Sequence, residues 1–189
     1  MGFDSILEKR HCSRHFKTTK KVKFNDIAKI LDSARYAPCA GGMFAVRFLV
    51  IDDEKTIKKM ADACLGQSFI AEAPYLIVIC SDMAQIRRSY GKRADFYARQ
   101  QAGAAIENIF LKATDLGLAT CWIGAFDENA IKRITEIPDA FVVEAVLPVG
   151  YEQGKEKSKE KIGLRHIVHY NKWGTQYVKG GDPEASENE

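Results

Sequence analysis

Apolar residues recur at the spacing of α-helices in several parts of the chain. The first stretch has four apolar residues on one predicted helical face, namely Ile27, Ile30, Leu31 and Ala34. Asn25 or Asp26 can cap this helix, and it should end before Pro38, because the residue preceding a proline is disfavoured in the α region. Two shorter helices are predicted over residues 54–64 and 127–135.

The longest predicted helix covers residues 94–116 and is rich in alanine. Its small and apolar residues fall at helical spacing: Ala98, Ala102, Ala105, Ile109 and Ala113. Small side chains let helices pack closely, and a helix this apolar is expected to be buried, either in the core or against a second subunit. Gly117 should end it as a left-handed cap.

Strands are predicted in four stretches, over residues 46–51, 75–80, 118–122 and 141–149. The second one follows Ala73-Pro74 and shows no polar alternation. Such a run is typical of a strand that is buried on both faces, in the middle of a sheet covered by helices. Because helices and strands alternate along the chain, the pattern predicts an α/β or α+β fold around one sheet.

Two segments have the composition of loops. Residues 37–44 are mostly small, which lets the backbone approach a ligand closely, and residues 152–161 are polar and rich in lysine. From residue 180 the chain is small and acidic, which is typical of disorder. One domain is therefore predicted over residues 1–174, with a flexible acidic tail over residues 175–189.

Composition and charge narrow the class of protein. The chain has 189 residues, of which 46% are hydrophobic and 28% charged, and this suits one globular domain with a sizeable core. The net charge of +3 and the dispersed basic residues argue against a nucleic-acid-binding protein. No apolar run approaches the roughly 20 residues of a membrane span, and the N-terminus lacks the features of a signal peptide. Neither nucleic acid nor a membrane is therefore expected as a partner.

The five cysteines are odd in number and scattered: Cys12, Cys39, Cys64, Cys80 and Cys121. No two lie at the spacing of a zinc finger or a redox pair, which predicts reduced thiols in the cytoplasm. Cys121 is interpreted as a core residue rather than a nucleophile, because buried structural cysteines are inert. His166 and His169 could share one face of a metal-binding helix, but surface histidines are favoured because no carboxylate pattern accompanies them. No metal site is predicted.

Candidate chemistry is concentrated in residues 8–16, where two arginines and two histidines lie within six residues and Phe16 follows. Arginine can hold a phosphate through two parallel, charge-assisted hydrogen bonds, and such a cluster after a short N-terminal helix can bind a small anion. The alternative is a solvated charged turn. The chain has no G-x-G-x-x-G, P-loop or G-x-S-x-G motif. The basic residues without such a motif favour a phosphorylated cofactor that brings its own chemistry.

Six short motifs follow one another along most of the chain. They are Lys9-Arg10-His11-Cys12-Ser13-Arg14-x-Phe16, Ala37-Pro38-Cys39-Ala40-Gly41-Gly42, Ala73-Pro74, the run from Gly117 to Phe126, Leu147-Pro148-Val149-Gly150-Tyr151, and Lys159-x-Lys161-x-x-Leu164 through Trp173-Gly174. In this order they resemble the nitroreductase family of FMN-dependent oxidoreductases. Each motif is short, and it is their common order that makes the resemblance specific.

The resemblance implies an α+β fold with a central mixed β-sheet flanked by helices. It also implies a homodimer with two FMN sites at the subunit interface. Members of this family pass electrons from NADH or NADPH through the flavin to a nitro compound, a quinone or a similar small-molecule acceptor. No catalytic side chain is implied, because the flavin carries the chemistry.

The implied cofactor-binding residues form a phosphate group and a ring group. Around the phosphate, Arg10 would grip the ligand beside His11 and Cys12, and Lys159 and Lys161 would close the site. Around the ring, Arg14 would lie near the pyrimidine edge. A loop of the partner subunit would line the ring, with Pro38, Cys39, Ala40 and Gly42. The segment with Trp122, Gly124 and Ala125 would turn its backbone amides toward the flavin N5.

Six positions depart from the pattern of the family. Cys12 and Cys39 replace serines, Gly42 replaces an asparagine, Phe44 replaces a glutamine, and Ala45-Val46 replaces the usual Pro-Trp. Since thiols are weak hydrogen-bonding groups, the polar edge of the flavin is expected to lose side-chain partners and the substrate face to become more apolar. Two interpretations follow: an FMN-dependent oxidoreductase, or a flavin-binding storage or sensing protein with little turnover, which the altered loop over residues 42–46 favours.

Overall fold

A computed structural model describes residues 2–154 and 161–175. The first range lies in one compact unit, and the second belongs to a separate C-terminal unit. The α-helices of the described residues are α1 (Phe3–Lys9), α2 (Phe24–Ala34), α3 (Glu54–Ala63), α4 (Met83–Tyr90), α5 (Ala94–Asp115) and α6 (Glu128–Thr135). The strands are β1 (Val46–Ile51), β2 (Tyr75–Asp82), β3 (Ala119–Thr120) and β4 (Phe141–Gly150).

The four strands form one sheet in the order β1-β2-β4-β3. Each of its strand pairs is antiparallel, and the register of β2 against β4 shifts between Ile79 and Cys80. A parallel pairing is present at an isolated bridge, between Cys12 and Thr120. The α+β class is therefore confirmed, and among the described residues the mixed character of the sheet is confined to this bridge.

Helices cover both faces of the sheet, as the apolar run of β2 predicts. Alternate residues of a strand point to opposite faces, and Ile77 and Ile79 pack with α2 and α5 in one core cluster. Leu76 and Val78 pack with α3 and α6 in a second cluster. The four side chains are 0% exposed, which places β2 at the centre of a three-layer domain.

The sequence placed most elements within one or two residues of their observed ends, and three differences have a physical cause. Helix α2 begins earlier, after Lys23, and no side chain caps it, which makes the expected cap at Asn25 or Asp26 wrong. Helix α4 was not predicted, because it follows β2 directly and buries only Met83 and Ile86. The strand predicted over residues 118–122 keeps only β3, because the chain leaves the ladder after Thr120.

Helix α5 has 22 residues and is therefore about 33 Å long. The alanines and isoleucine that predicted its burial pack within the chain's own core, and not against a second subunit. Gly117 has a φ of 70°, which confirms the left-handed cap. Gln101 is the buried polar residue of α5 and Glu107 is half-buried, and both take part in the site described below.

Several expectations concern the C-terminal part of the chain. Lys159 and all of the predicted tail except Thr175 lie outside the described residues. His166 ends a short 3-10 helix, Leu164–His166, and His169 stacks on Trp173 with ring centroids 4.1 Å apart. The two histidines therefore do not share a helical face. Among the described residues, no helix is both long and apolar enough to cross a membrane.

Gly150 allows the end of β4 to approach the N-terminal segment, and a Cβ there would lie 2.9 Å from Phe16 Cδ1 and 3.0 Å from Pro74 Cδ. Phe16 is 0% exposed and a proline ring is rigid, and neither group can move easily. We expect Gly150→Ala to lower the free energy of unfolding by about 1–3 kcal/mol, measured by chemical denaturation. The control is Gly2→Ala, where no atom lies within 4 Å. Equal stability of the two variants would contradict this prediction.

Candidate functional site

The N-terminal motif lies in an extended segment that is attached to the edge of the sheet. Ser13 N–H donates a hydrogen bond of 2.9 Å to the Thr120 carbonyl, and Phe16 bridges to Glu152. Ser13 and Phe16 point inward and are buried. Arg10 is half-buried, and Cys12 and Arg14 are exposed on the accessible surface of this segment.

Arg10 is held by helix α5. Its Nε lies 3.4 Å from Glu107 Oε1, and the two side chains are 26% and 46% exposed. Burial raises the pKa of Glu107, and the guanidinium of Arg10 partly opposes that effect. Arg10, the residue predicted to grip a phosphate, is therefore already placed at the surface of the domain with a carboxylate beside it.

Cys12 lies at the centre of this group. Its pKa is lowered to about 5, mainly because the Cys121 thiol donates a hydrogen bond to its sulfur. The Trp122 backbone N–H and the charges of Arg10 and Arg14 lower the pKa further, against the effect of burial. The sulfur is thus a point where this site already stabilises a negative charge.

Trp122 forms one wall of the site. Its ring stacks on Phe110 of α5 with centroids 6.3 Å apart at an interplanar angle of 29°, and 42% of the residue remains exposed. The backbone N–H of Trp122 faces Cys12, and that of Ile123 donates to the Val146 carbonyl. Within the Trp-Ile-Gly-Ala segment, this leaves the exposed Gly124 and Ala125 as the predicted amide donors.

The loop predicted to line a flavin forms a compact turn at residues 40–42. Gly41 and Gly42 have φ values of 56° and 72°, which favour glycine, and the Tyr90 hydroxyl occupies the place of a Cβ at Gly41. Gln101 anchors the end of this loop, since its Oε1 accepts from Ala45 N–H at 2.8 Å and its Nε2 donates to the Met43 carbonyl at 2.9 Å. Pro38 is exposed, and Cys39 and Ala40 are half-buried.

Phe44 does not face the accessible side of this loop. It packs against the core cluster of α2 and α5, and its ring centroid lies 6.4 Å from that of Phe48. The expectation that Phe44 makes the substrate face more apolar is therefore not supported within one chain, because the side chain packs in the core.

Within one chain, the N-terminal cluster and the loop contact different sides of α5. The cluster is attached at Glu107 and the loop at Gln101, six residues earlier. Six residues of an α-helix correspond to about 9 Å along its axis and about 240° around it. The structure therefore brings Arg10, Cys12 and Trp122 together and holds residues 38–42 elsewhere.

The remaining predicted residues have other surroundings. His11 lies at the edge of the cluster, where one ring nitrogen is 2.7 Å from Glu152 Oε1 and the other is 2.7 Å from the Lys9 carbonyl. Lys161 is exposed in the separate C-terminal unit. Among the described residues, no group of three acidic, cysteine or histidine side chains could hold a metal ion.

Sequence reasoning missed Glu107, Gln101 and the contact between Cys12 and Cys121. A signal was present for the first two, since each is a polar residue within an otherwise apolar helical pattern. For the cysteines, the sequence offered no signal, because the contact depends on the pairing of two distant segments.

Comparison with known proteins gives the family. The sequence profile of the nitroreductase family matches residues 7–69 and 64–151. A protein of Archaeoglobus fulgidus is 31% identical over 160 residues, which cover 82% of this chain and 89% of that protein, and its name assigns it provisionally as an NADH dehydrogenase/NAD(P)H nitroreductase.

Two solved structures from Clostridium difficile share both fold and sequence. A nitroreductase family protein of strain 630 is 29% identical with a TM-score of 0.79, over 91% of this chain and 99% of that chain. A protein of strain R20291 described as an FMN-dependent nitroreductase is 26% identical with a TM-score of 0.77, over 89% and 98%. The predicted class of enzyme, an oxidoreductase, is confirmed, and this chain belongs to the nitroreductase family.

Proposed function

We propose that this protein is an FMN-dependent oxidoreductase that transfers electrons from NADH or NADPH, through bound flavin, to a nitro compound, a quinone or a similar acceptor. The observation that carries the proposal is the cationic cluster at Cys12. The charges of Arg10 and Arg14 both lower the pKa of this exposed thiol, and the exposed ring of Trp122 lies beside it. The family to which the chain belongs supports the same activity.

The residues present fit an anionic, planar cofactor. The low pKa of Cys12 means that the field at its sulfur favours negative charge, as a phosphate requires. The thiolate and Glu107 also carry negative charge, and they would compete with a phosphate for the two guanidiniums. The two guanidiniums therefore lie where a phosphate would need positive charge. Because two negative groups compete for them, we expect modest rather than tight affinity for FMN.

Each residue of the cluster has a definite task in this proposal. Arg10 would bind the phosphate, and Glu107 would orient the guanidinium through the contact at 3.4 Å. Arg14 would stabilise the negative charge that the flavin gains on reduction, and the amides of Gly124 and Ala125 would donate hydrogen bonds to the ring. Bound flavin would supply the hydride and electron-transfer chemistry, and the residues of the cluster would bind and orient it.

A second copy of the chain would complete the site. The residue pair Gln101 and Glu107 places the loop and the cluster on different sides of α5, and one copy therefore cannot bring both to the same ligand. We propose a homodimer in which residues 38–42 of the partner subunit face the cluster. The helices also leave an open groove of about 1040 Å³ between α1, α2 and α5, with Phe3, Ile6 and Leu111 in its lining.

We expect a dimer in solution at micromolar protein concentration, measured by analytical ultracentrifugation. Ala28 lines the groove and is exposed, and Ala28→Arg should shift the protein toward monomer because a charge would enter an apolar interface. Ala140→Arg is the control, since Ala140 is exposed in the turn before β4. A monomeric wild-type protein with flavin bound would contradict the proposal.

The decisive test is anaerobic reduction of the purified protein. We expect a yellow protein whose flavin absorbance near 450 nm bleaches on addition of NADH or NADPH. Bleaching should reverse when a nitroaromatic compound or a quinone is added, and a panel of such compounds identifies the acceptor class. A colourless protein that does not bind added FMN would overturn the proposal.

A second candidate function is flavin storage or sensing with little turnover. It is favoured by the loop at residues 39–42, whose own side chains offer a thiol at Cys39 and no amide or hydroxyl group. A yellow protein that NADH and NADPH fail to bleach would support this alternative. We also infer a cytoplasmic location, because the five cysteines are scattered in sequence and all are thiols in the structure.

A further inference from the structure

We propose that Cys12 and Cys121 form an oxidisable pair, in which the Cys12 sulfur attacks a hydroperoxide and Cys121 then closes a reversible disulfide. The proposal concerns a modification site on the chain itself, and it is tested without flavin, because the FMN proposed above would lie against the Cys12 sulfur. It starts from a contact that the cysteine spacing in the sequence did not predict, between two thiols on neighbouring extended segments.

The backbone places Cys121 one residue from the position that is bridged to Cys12. Cys12 is bridged to Thr120, with the hydrogen bond from Ser13 N–H to the Thr120 carbonyl at 2.9 Å, and Cys121 is the next residue along. Paired strands lie about 4.8 Å apart with a rise of about 3.3 Å per residue, which gives a Cα separation of about 6 Å between Cys12 and Cys121. Disulfides typically join Cα atoms about 4.4–6.8 Å apart. The hydrogen bond from the Cys121 thiol shows that the side chains already meet.

The two thiols differ in the way that a two-step oxidation requires. Cys12 is exposed and therefore open to a small oxidant, whereas Cys121 is 2% exposed and lies behind it. The groups that act on the Cys12 sulfur are the Cys121 thiol, the Trp122 N–H, Arg10 and Arg14, and together they lower its pKa to about 5. Glu107 opposes them, since its charge and that of Cys12 repel each other. The thiolate is the form that attacks peroxides, and here it predominates at neutral pH.

The chemistry balances with a hydroperoxide as the oxidant. In the first step the Cys12 thiolate attacks one oxygen of hydrogen peroxide, the O–O bond breaks, and Cys12 becomes a sulfenic acid while the other oxygen leaves as hydroxide, which takes a proton from solvent to give water. In the second step the Cys121 sulfur attacks the sulfenic sulfur, the S–O bond breaks, and a second water leaves with the thiol proton. Two thiols are oxidised and one peroxide is reduced. A dithiol such as dithiothreitol reduces the disulfide back to two thiols by thiol–disulfide exchange.

The other cysteines provide internal controls. Cys64 and Cys80 are buried in the second core cluster, and burial raises the pKa of their thiols to about 11 and about 12. Both should stay unreactive while the protein is folded. Cys39 is half-buried in the turn of residues 39–42, away from the arginine cluster of its own chain, and tests whether partial exposure alone produces oxidation.

The test treats the full chain with a small excess of hydrogen peroxide, then blocks free thiols and maps peptides by mass spectrometry without reduction. In the wild type we expect one disulfide, between Cys12 and Cys121, which dithiothreitol removes. Cys121→Ser should abolish it and leave a sulfenic acid on Cys12 that dimedone traps. Cys39→Ser should leave the disulfide unchanged. An unmodified Cys12, or a disulfide that forms equally well through Cys39, would overturn the proposal.

Labelling of the wild type gives a second measurement that needs no variant at a buried position. Alkylation of Cys12 by iodoacetamide should reach half its maximal rate near pH 5 in the native protein, because the thiolate forms as pH rises through the lowered pKa. After unfolding in urea, the same residue should titrate near its ordinary value of about 8.5. If native Cys12 titrates near that value, or does not react in the folded protein, the pair is not the reactive site described.

Discussion

Replacing Arg10 with alanine is expected to weaken FMN binding by on the order of 10- to 100-fold and to leave riboflavin binding nearly unchanged. The guanidinium would form a charge-assisted pair with the phosphate, and such a contact contributes roughly 1.5–3 kcal/mol. Riboflavin has no phosphate and therefore no partner for Arg10. Isothermal titration of both ligands against wild type and variant measures the difference.

The Arg10→Ala variant also removes the partner of Glu107, and this effect can be tested separately. In Arg10→Ala the Glu107 carboxylate loses its cation and would repel an incoming phosphate. The double variant Arg10→Ala with Glu107→Gln removes that repulsion and should recover part of the lost affinity. Arg133→Ala is the control, because Arg133 is exposed in the last turn of α6 and carries the same charge. Equal losses for FMN and riboflavin would place Arg10 away from the phosphate.

Replacing Arg14 with glutamine is expected to keep FMN bound and to lower its two-electron reduction potential by on the order of tens of millivolts. Reduction by hydride leaves negative charge near the flavin N1 and C2 carbonyl, and a fixed cation there favours the reduced form. Arginine stays protonated across the working pH range, and the effect should not vary with pH. For two electrons, about 30 mV corresponds to about 1.4 kcal/mol.

A reductive titration against a reference dye measures this potential. The alternative is that both arginines share the phosphate, and the structure makes it a serious one, because both charges act on the same Cys12 sulfur. An unchanged potential together with weaker FMN binding would assign Arg14 to the phosphate. Arg133→Gln, which removes an equal charge from α6, should change neither quantity.

Cys12 links the cofactor proposal to the redox proposal. In the cofactor proposal, its thiolate would take the place of the serine hydroxyl that the family resemblance implies beside the phosphate, and it would have the same sign of charge as that ligand. Cys12→Ser therefore should bind FMN more tightly than the wild type, because the competing charge is removed and a better hydrogen-bond donor is introduced. The peroxide experiment on the flavin-free chain is independent of this, and either proposal can fail without the other.

The alanine-rich face of α5 is not the surface that would form a dimer interface. The alanines of α5 suggested a helix packed in the core or against a second subunit, and the structure buries them in the chain's own core. The case for a dimer now depends on the groove beside α1 and α2 and on the separation of Glu107 from Gln101. Both observations come from the tertiary structure. An alanine-rich helical face has the same sequence pattern whether it packs in the chain's own core or against a second subunit.

The sequence by itself determined the elements and the family. Strand β1 was predicted to its exact residues and β2 and α5 to within two, because period-2 and period-3.6 patterns are local properties of the chain. The order of the short motifs identified the family and drew attention to Arg10, Cys12 and Arg14. The uncapped start of α2 and the helix α4 were missed, because neither has a strong local signal.

Only the tertiary structure decided which residues meet. An alternating pattern tells which face of a strand is buried, but it does not specify the partner strand or the register of pairing. The bridge between Cys12 and Thr120 sets that register for the N-terminal segment, and it alone brings Cys12 to Cys121. Packing of the same segment against α5 places Arg10 beside Glu107. These contacts join residues far apart in the sequence, where the pairing of segments and not local periodicity determines distance.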